Sequence, residues 1–331
     1  MLNYKSILIT GGTGSFGNNF LSFLLKKYRK AKRIVIFSRD ELKQSEMFEK
    51  YNNKNHKNLR FFLGDVRDLG RLKEAMRDID YVVHAAALKQ VPSAEYNPFE
   101  VIKTNIIGAQ NIIEASFASP NVKKVISLST DKAAAPINLY GASKLCSDKL
   151  MIAANNIIGK RKLSFSVVRY GNVMGSRGSV IPKFLEQRKK GVITITDKKM
   201  TRFNITLKES IEMVEWALIH SKGGEIIIPK IPSFNVIDLA KVIAPRAKIK
   251  NIGIRQGEKI HEDLITKSES INSLKYKKYY LIVRQSSKLE KFYLKNGAKK
   301  LSENFEFNSG TNPNFLKRSE LRKILNKNNL L

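Results

Sequence analysis

A chain of 331 residues, 42% of them hydrophobic, holds enough apolar material for one large α/β domain and a smaller one, which sets intrinsic disorder aside. The net charge is extreme, +31 from 60 Lys and Arg against 29 Asp and Glu, but the basic residues are scattered from Lys5 to Lys327 with no basic tail, so neither a nucleic-acid nor a membrane partner is expected. The single cysteine, Cys146, excludes an intramolecular disulfide, and no apolar run approaches the ~20 residues that span a bilayer; the expectation is a soluble, cytoplasmic protein whose positive field attracts an anionic substrate.

Ser6–Thr10 is an apolar run that predicts a first strand. The loop Thr10-Gly11-Gly12-Thr13-Gly14-Ser15-Phe16-Gly17 follows, then a helical pattern over Asn18–Tyr28. Its glycines fit both G-x-x-G-x-x-G and G-x-G-x-x-G between a strand and a helix, where bare backbone can approach a pyrophosphate at a helix N-terminus. A second strand, Arg33–Phe37, runs into Ser38-Arg39-Asp40-Glu41-Leu42-Lys43. An acidic residue at this strand tip would suit the ribose hydroxyls of NAD; Ser38 and Arg39, with Lys43 one turn on, suit the 2′-phosphate of NADP. Asp65 and Val66 follow the third strand, Leu59–Leu63, and are placed at the adenine edge. After the helix Leu69–Met76 and the strand Tyr81–His84, the small residues Ala85, Ala86 and Ala87 let a cofactor pass close. A helix over Pro98–Ala118, strands over Lys124–Ser129 and Ser164–Arg169, and a helix over Tyr140–Ile157 complete the alternation. Continuously apolar strands alternating with helices predict a doubly wound parallel sheet of the Rossmann type, covered on both faces.

The pattern loosens beyond Tyr170. Gly171–Gly178 reads as a loop, Leu207–His220 and Val236–Ala244 as helices, and Glu225–Pro229 as a short strand. The expected organisation is a dinucleotide domain over residues 1–170 to which 206–235 returns, with a smaller, discontinuous α/β substrate domain over 171–331.

The segment from Ser129 to Lys144 carries the chemistry. Tyr140 and Lys144 stand four apart at a helix start and so share a face, where the ammonium can favour the tyrosinate and hold a nicotinamide ribose. Asp131 and Lys132 lie at the carboxyl end of a parallel strand, where open α/β sheets place their ligands. An acid and a base there could remove a proton and expel a hydroxyl; a surface ion pair is the competing reading. The four histidines have no ligand spacing with one another or with Cys146, so no metal site is expected.

These stretches resemble the inverting UDP-N-acetylglucosamine 4,6-dehydratases of the extended short-chain dehydrogenase/reductase type. The resemblance spans nearly the whole chain, including Thr10–Gly17, Ser38–Glu46, Gly64–Asp68, His84–Lys89, Ala94–Pro98, Thr130–Lys144, Val168–Ser179, Met200–Phe203 and Gly257–Lys259. Related glucose-nucleotide dehydratases carry Asp-Glu where this chain has Asp131-Lys132. The resemblance implies that Tyr140 takes the proton of the sugar 4-hydroxyl as hydride passes from C4 to NADP. Lys132 then removes the C5 proton, and Asp131, assisted by Thr130, protonates the departing 6-hydroxyl. Hydride returns to C6, and C5 is reprotonated from the opposite face. To act as a base Lys132 must be neutral, so its pKa is expected to be depressed. The resemblance also implies that Lys89 and Thr104 join the cofactor set, and that Lys89, Asn172, Arg202, Arg255 and Glu258 bind the substrate. It implies a homo-oligomer, dimer or hexamer, and a first step toward pseudaminic acid or a related deoxy-amino sugar. Two positions depart from the pattern: Asn204 stands where an aromatic residue is usual, and Gln256 where proline is. The rival readings are a UDP-sugar 4-epimerase, which needs Tyr140 and Lys144 but not Asp131 and Lys132, and a basic non-enzymatic NADP- or nucleic-acid-binding protein.

Overall fold

The computed structural model describes residues 2–51, 56–176 and 179–331, so the last two residues of the loop predicted over Gly171–Gly178 lie outside the described residues. Strands β1 (Ser6–Thr10), β2 (Arg33–Ser38), β3 (Leu59–Leu63), β4 (Tyr81–His84), β5 (Lys124–Thr130) and β6 (Ser164–Tyr170) pair in parallel in the order β3-β2-β1-β4-β5-β6. That is the strand order of a dinucleotide-binding sheet, whose ligand crevice lies at the carboxyl ends of β1 and β4, where the order reverses. Ile226–Pro229 continues the sheet in parallel beside β6. Tyr279–Ile282, Ser273–Tyr276 and Lys299–Lys300 then extend it antiparallel, from the stretch that the sequence reading gives to the smaller domain. Among the described residues the sheet is ten-stranded.

Helix α1 (Ser15–Lys27) buries Phe20, Leu21, Leu24 and Leu25 on one stripe and packs on the helix Leu207–His220. Lys27 and the Tyr28 hydroxyl both reach Glu215 of that helix, the former at 2.7 Å. The helix predicted over Pro98–Ala118 is interrupted by a π-helical turn, Lys103–Ile107, between Pro98–Ile102 and Gly108–Ala118. Such a turn adds a residue to the helix and turns two neighbours inward together; here Thr104 and Asn105 are both buried. Asn105 accepts from the Leu88 N–H (2.8 Å) and donates to the Leu88 carbonyl and Ser143 Oγ, 2.9 Å each. It thereby ties the segment after β4 to the helix that carries Tyr140 and Lys144.

A second, smaller core gathers Met174, Phe184, Ile193, Met200, Phe234, Leu239, Leu321 and Leu325. Around it lie the parallel pair Val192–Ile195 and Lys248–Asn251 and the helices Val180–Arg188, Val236–Ile243 and Arg318–Lys327. A three-stranded sheet of Asn172–Val173, Thr201–Ile205 and Ser233–Asn235 joins the two cores. No helix among the described residues is long and apolar enough to cross a membrane.

Candidate active site

A cleft of about 560 Å³ opens above β1 and β4 and runs from the glycine loop to Tyr140 and Lys144. Gly11 has φ +65°, and a Cβ there would stand 2.8 Å from the Ala86 nitrogen. A Cβ on Gly17 would collide with the Gly12 backbone. Gly14 caps α1 with no side-chain bond, and the first turn, which lines the cleft, has no acidic residue to offset the partial positive charge of the helix N-terminus. This bare-backbone cradle at a helix N-terminus fits a dinucleotide pyrophosphate. Thr13, Ser15, Phe16, Ser38, Arg39, Asp40, Lys43, Val66, Ala85, Ala86, Ala87, Lys89 and Thr104 line the same cleft. Asp65 does not: its carboxylate takes Arg67 at 2.7 Å and lies 3.6 Å from Arg39, so it steers Arg39 rather than lining the wall. Burial works to raise the Asp65 pKa, but the Arg67 hydrogen bonds and Arg39 outweigh it and hold the carboxyl below its ordinary range.

The segment read from the sequence as carrying the chemistry begins where β5 ends. Thr130 Oγ1 accepts from the Lys132 N–H (3.4 Å) and fixes a single 3₁₀ turn, Asp131–Ala133. Asn138 caps the helix Leu139–Ala153 through Gly141 N (2.8 Å) and donates to the Gly257 carbonyl (2.8 Å). Thr130, Lys132, Tyr140 and Lys144 all face the cleft. Burial pushes the Tyr140 phenol up to about 12, against the opposing pull of Lys132 and Thr130. Burial lowers the Lys144 pKa, and Asp148, one turn further on, opposes the drop. Asp148 accepts from Ser129 Oγ at 2.7 Å and stands 3.6 Å from the fully buried Arg169. His84, beneath the cleft, shares a 2.8 Å hydrogen bond with Thr10 and is held neutral, its pKa driven to about 3 by burial and by Lys144.

Asp131 is 1% exposed and sits just behind the cleft wall. Its Oδ1 accepts from Thr130 Oγ1 (3.0 Å) and from Lys132 Nζ (3.1 Å). The expectation of a depressed Lys132 pKa is corrected here. Burial does disfavour the ammonium, but Nζ also lies 3.0 Å from Glu262 Oε1, and the carboxylates of Asp131 and Glu262 together raise its pKa above the ordinary lysine value. Glu262, 2% exposed, is a neighbour of Lys132 that the sequence reading missed. It follows the Gly257-Glu258-Lys259 motif by three residues, and the acid after that motif was the available signal. Lys259 was missed as well; its Nζ donates to the Ala134 carbonyl at 2.7 Å and anchors the strand-end segment.

The substrate set divides. Lys89 and Asn172 line the cleft. Arg202 is buried beside it, donating to the Thr201 and Ile260 carbonyls at 2.7 and 3.1 Å, with Nε 3.7 Å from Glu262. Arg255 and Glu258 form a loop ion pair at 3.8 Å and are not among the lining residues. Asn204 is buried opposite Asn172 in the small sheet, while Gln256 is exposed between the ion-paired residues.

Residues 7–284 match the polysaccharide biosynthesis protein family. The UDP-N-acetylglucosamine 4,6-dehydratase (inverting) of Campylobacter jejuni is 50% identical over 334 residues, covering 98% of each chain. A UDP-glucose 4-epimerase of Rickettsia akari is 43% identical over 97% of this chain and 95% of its own. The X-ray structure of Pen from Bacillus thuringiensis superposes with a TM-score of 0.90 at 38% identity, covering 100% of both chains. Sharing half its residues with the first of these over nearly its full length, the chain belongs to the polysaccharide biosynthesis protein family together with the inverting UDP-N-acetylglucosamine 4,6-dehydratases.

Proposed function

We propose that the protein converts UDP-N-acetylglucosamine to the 4-keto-6-deoxy sugar nucleotide with inverted C5. One observation carries this reading: a buried Asp131, ion-paired with the partly exposed Lys132, abuts Tyr140 and Lys144 at one end of a dinucleotide-shaped cleft. A 4-epimerase needs Tyr140 and Lys144 but has no use for an acid and a base at the neighbouring carbons. A nicotinamide dinucleotide in the cleft supplies the hydride acceptor for C4 and the donor for C6. Tyr140 takes the 4-hydroxyl proton, with Lys144 beside it stabilising the phenolate. The resulting ketone acidifies C5–H, whose proton goes to Lys132 Nζ. Asp131 gives its proton to the 6-hydroxyl, which leaves as water, and C5 regains a proton, drawn from solvent, on the opposite face. Lys132 rests as an ammonium and must shed one proton before it can take another. The large sheet, with residues 206–235, holds the dinucleotide, and the smaller core carries the sugar nucleotide.

The test is product analysis in deuterated water by NMR. A C6 methyl signal with deuterium at C5 and L-arabino couplings is the expected result. A 4-epimer that keeps its 6-hydroxyl would transfer the protein to the epimerases.

The cofactor reading is NADP, supported by Arg39 lining the cleft at the tip of β2. Arg39→Ala is expected to weaken NADP binding by ~10- to 100-fold, the worth of a charge-assisted phosphate contact, and to leave NAD within a few-fold. Calorimetric titration of both dinucleotides decides it; equal losses for the two would favour NAD.

A further inference from the structure

The loop that leads from Lys132 to Tyr140 is held in a conformation it would not adopt alone. Ala135 has φ +44°, in the left-handed region that L side chains disfavour. It also precedes Pro136, and a residue before proline is pushed toward extended backbone. Ala135 is exposed, so packing of its own side chain does not force the angle. The constraint comes from its neighbours. The Asp131 carbonyl accepts from Ala134 N at 3.1 Å and closes the 3₁₀ turn. A Cβ on Gly141, in the first turn of the helix Leu139–Ala153, would stand 2.2 Å from the Lys132 carbonyl oxygen and 3.1 Å from Pro136 Cβ, so the loop is pressed onto bare backbone. A distant segment grips the loop at two points: Lys259 Nζ donates to the Ala134 carbonyl (2.7 Å), and Asn138 Nδ2 donates to the Gly257 carbonyl (2.8 Å). Lys259 is steadied in turn by Asp263 Oδ2 at 3.4 Å, whose Oδ1 accepts from Asn308 at 2.7 Å. The peptide unit is planar, so the direction of the Ala134 carbonyl and the φ of Ala135 turn together. Strain of this kind persists only where the surrounding structure over-determines it.

We propose that Lys259 is a positioning residue for the reaction at C5: by pinning the Ala134–Ala135 peptide it holds Ala135 left-handed and so fixes Lys132 relative to Tyr140. Lys259 is not among the residues that line the cleft and acts only through the backbone. Without its donor the Ala134 carbonyl is free to rotate, Ala135 relaxes to negative φ, and the turn that carries Lys132 shifts while Tyr140 stays on its helix. The step affected rests on the dehydratase reading above; the pinning of the turn does not.

Lys259→Met keeps the stem and removes the donor. It is expected to lower kcat for dehydration by ~10- to 100-fold with KM nearly unchanged, since a misplacement of about 1 Å at a reacting group has effects of that order. Deuterium uptake at C5 should fall with kcat, while C4 oxidation in a single turnover stays within a few-fold of wild type. Ala135→Gly in the Lys259→Met background is expected to recover ~10-fold, because glycine enters the left-handed region freely; glycine would not repair a general loss of stability. Ala135→Val, at an exposed position with Lys259 intact, should reproduce the loss, because a β-branched residue resists positive φ. A Lys259→Met enzyme with wild-type kcat, or one that Ala135→Gly leaves unimproved, would overturn the proposal. Should Lys259→Met fail to fold, Ala135→Val decides, and an undiminished kcat there sinks it. Amide hydrogen exchange needs no substrate. The Ala134 N–H should exchange at least ~10-fold faster in Lys259→Met, with β1 and β4 as protected as in wild type; unchanged protection of Ala134 would also count against the pinning. Failure of the wild type to form a 6-deoxy product would remove the dehydratase reading and leave the exchange result standing.

Discussion

Lys132→Met is expected to abolish deuterium uptake at C5 and to lower kcat for dehydration by ~10³-fold or more, with substrate binding within a few-fold. Methionine fills most of the volume of the lysine stem but removes Nζ, the atom shared by Asp131 and Glu262 at 3.1 and 3.0 Å. Oxidation at C4 is left to Tyr140, so the variant should still exchange hydride with the sugar and stall at the ketone. Stability should change as well, because both carboxylates are at most 2% exposed and lose their common cation. Breaking a fully buried pair costs about 3–5 kcal/mol when one charge is left unpaired; with Lys132 partly exposed and Arg202 still beside Glu262, the loss here should be smaller. One of the two carboxyls should then hold a proton into the neutral range. A folded-state pKa raised in this way contributes stability below the unfolded value and loses it as pH rises through the folded value. The melting temperature of the variant should therefore fall toward alkaline pH relative to the wild type. A variant that still places deuterium at C5 at the normal rate would remove Lys132 from the role of base.

Tyr140→Phe is expected to reduce kcat by ~10³-fold and to leave dinucleotide and nucleotide-sugar affinities within a few-fold. Burial raises the phenol pKa to about 12, so Tyr140 must shed its own proton before it can take that of the 4-hydroxyl. The Lys132 cation pulls that value down, so Tyr140 and Lys132 are coupled through charge as well as through the substrate. In single-turnover measurements the Phe variant should show no C4 oxidation, whereas Lys132→Met should show it without elimination. If both variants block the same step, the assignment of separate protons to the two residues fails.

What the sequence makes legible is local. The glycine loop, the Tyr140–Lys144 spacing and the Asp131–Lys132 pair each lie within one strand-to-helix unit, and the apolar runs of β1 to β6 read as covered parallel strands. Glu262 was not legible because it reaches Lys132 from a loop far along the chain, where no periodicity links the two. The charge state of Lys132 was misread for the same cause: burial can be inferred at a strand end, but a second carboxylate brought in by tertiary packing cannot. Ser273–Tyr276 and the edge strand Lys299–Lys300 gave no strand signal, since both are short and carry exposed lysines, with Leu274 among the few buried residues. The π turn at Lys103–Ile107 lay hidden inside a run that reads as an uninterrupted helix.

The chain passes from the large core to the small one between Tyr170 and Met174, returns between Met200 and Phe203, and crosses again between Ile231 and Phe234, Ala244 and Leu264, and Phe307 and Leu316. No single proteolytic cut can release either core with its full complement of strands. A truncated dinucleotide domain would lack Ile226–Pro229 and the antiparallel edge and would expose the apolar flank of β6. The two cores are therefore bound to fold and melt as one cooperative unit, and any closing of the cleft has to be shared among several strand crossings rather than left to one flexible hinge.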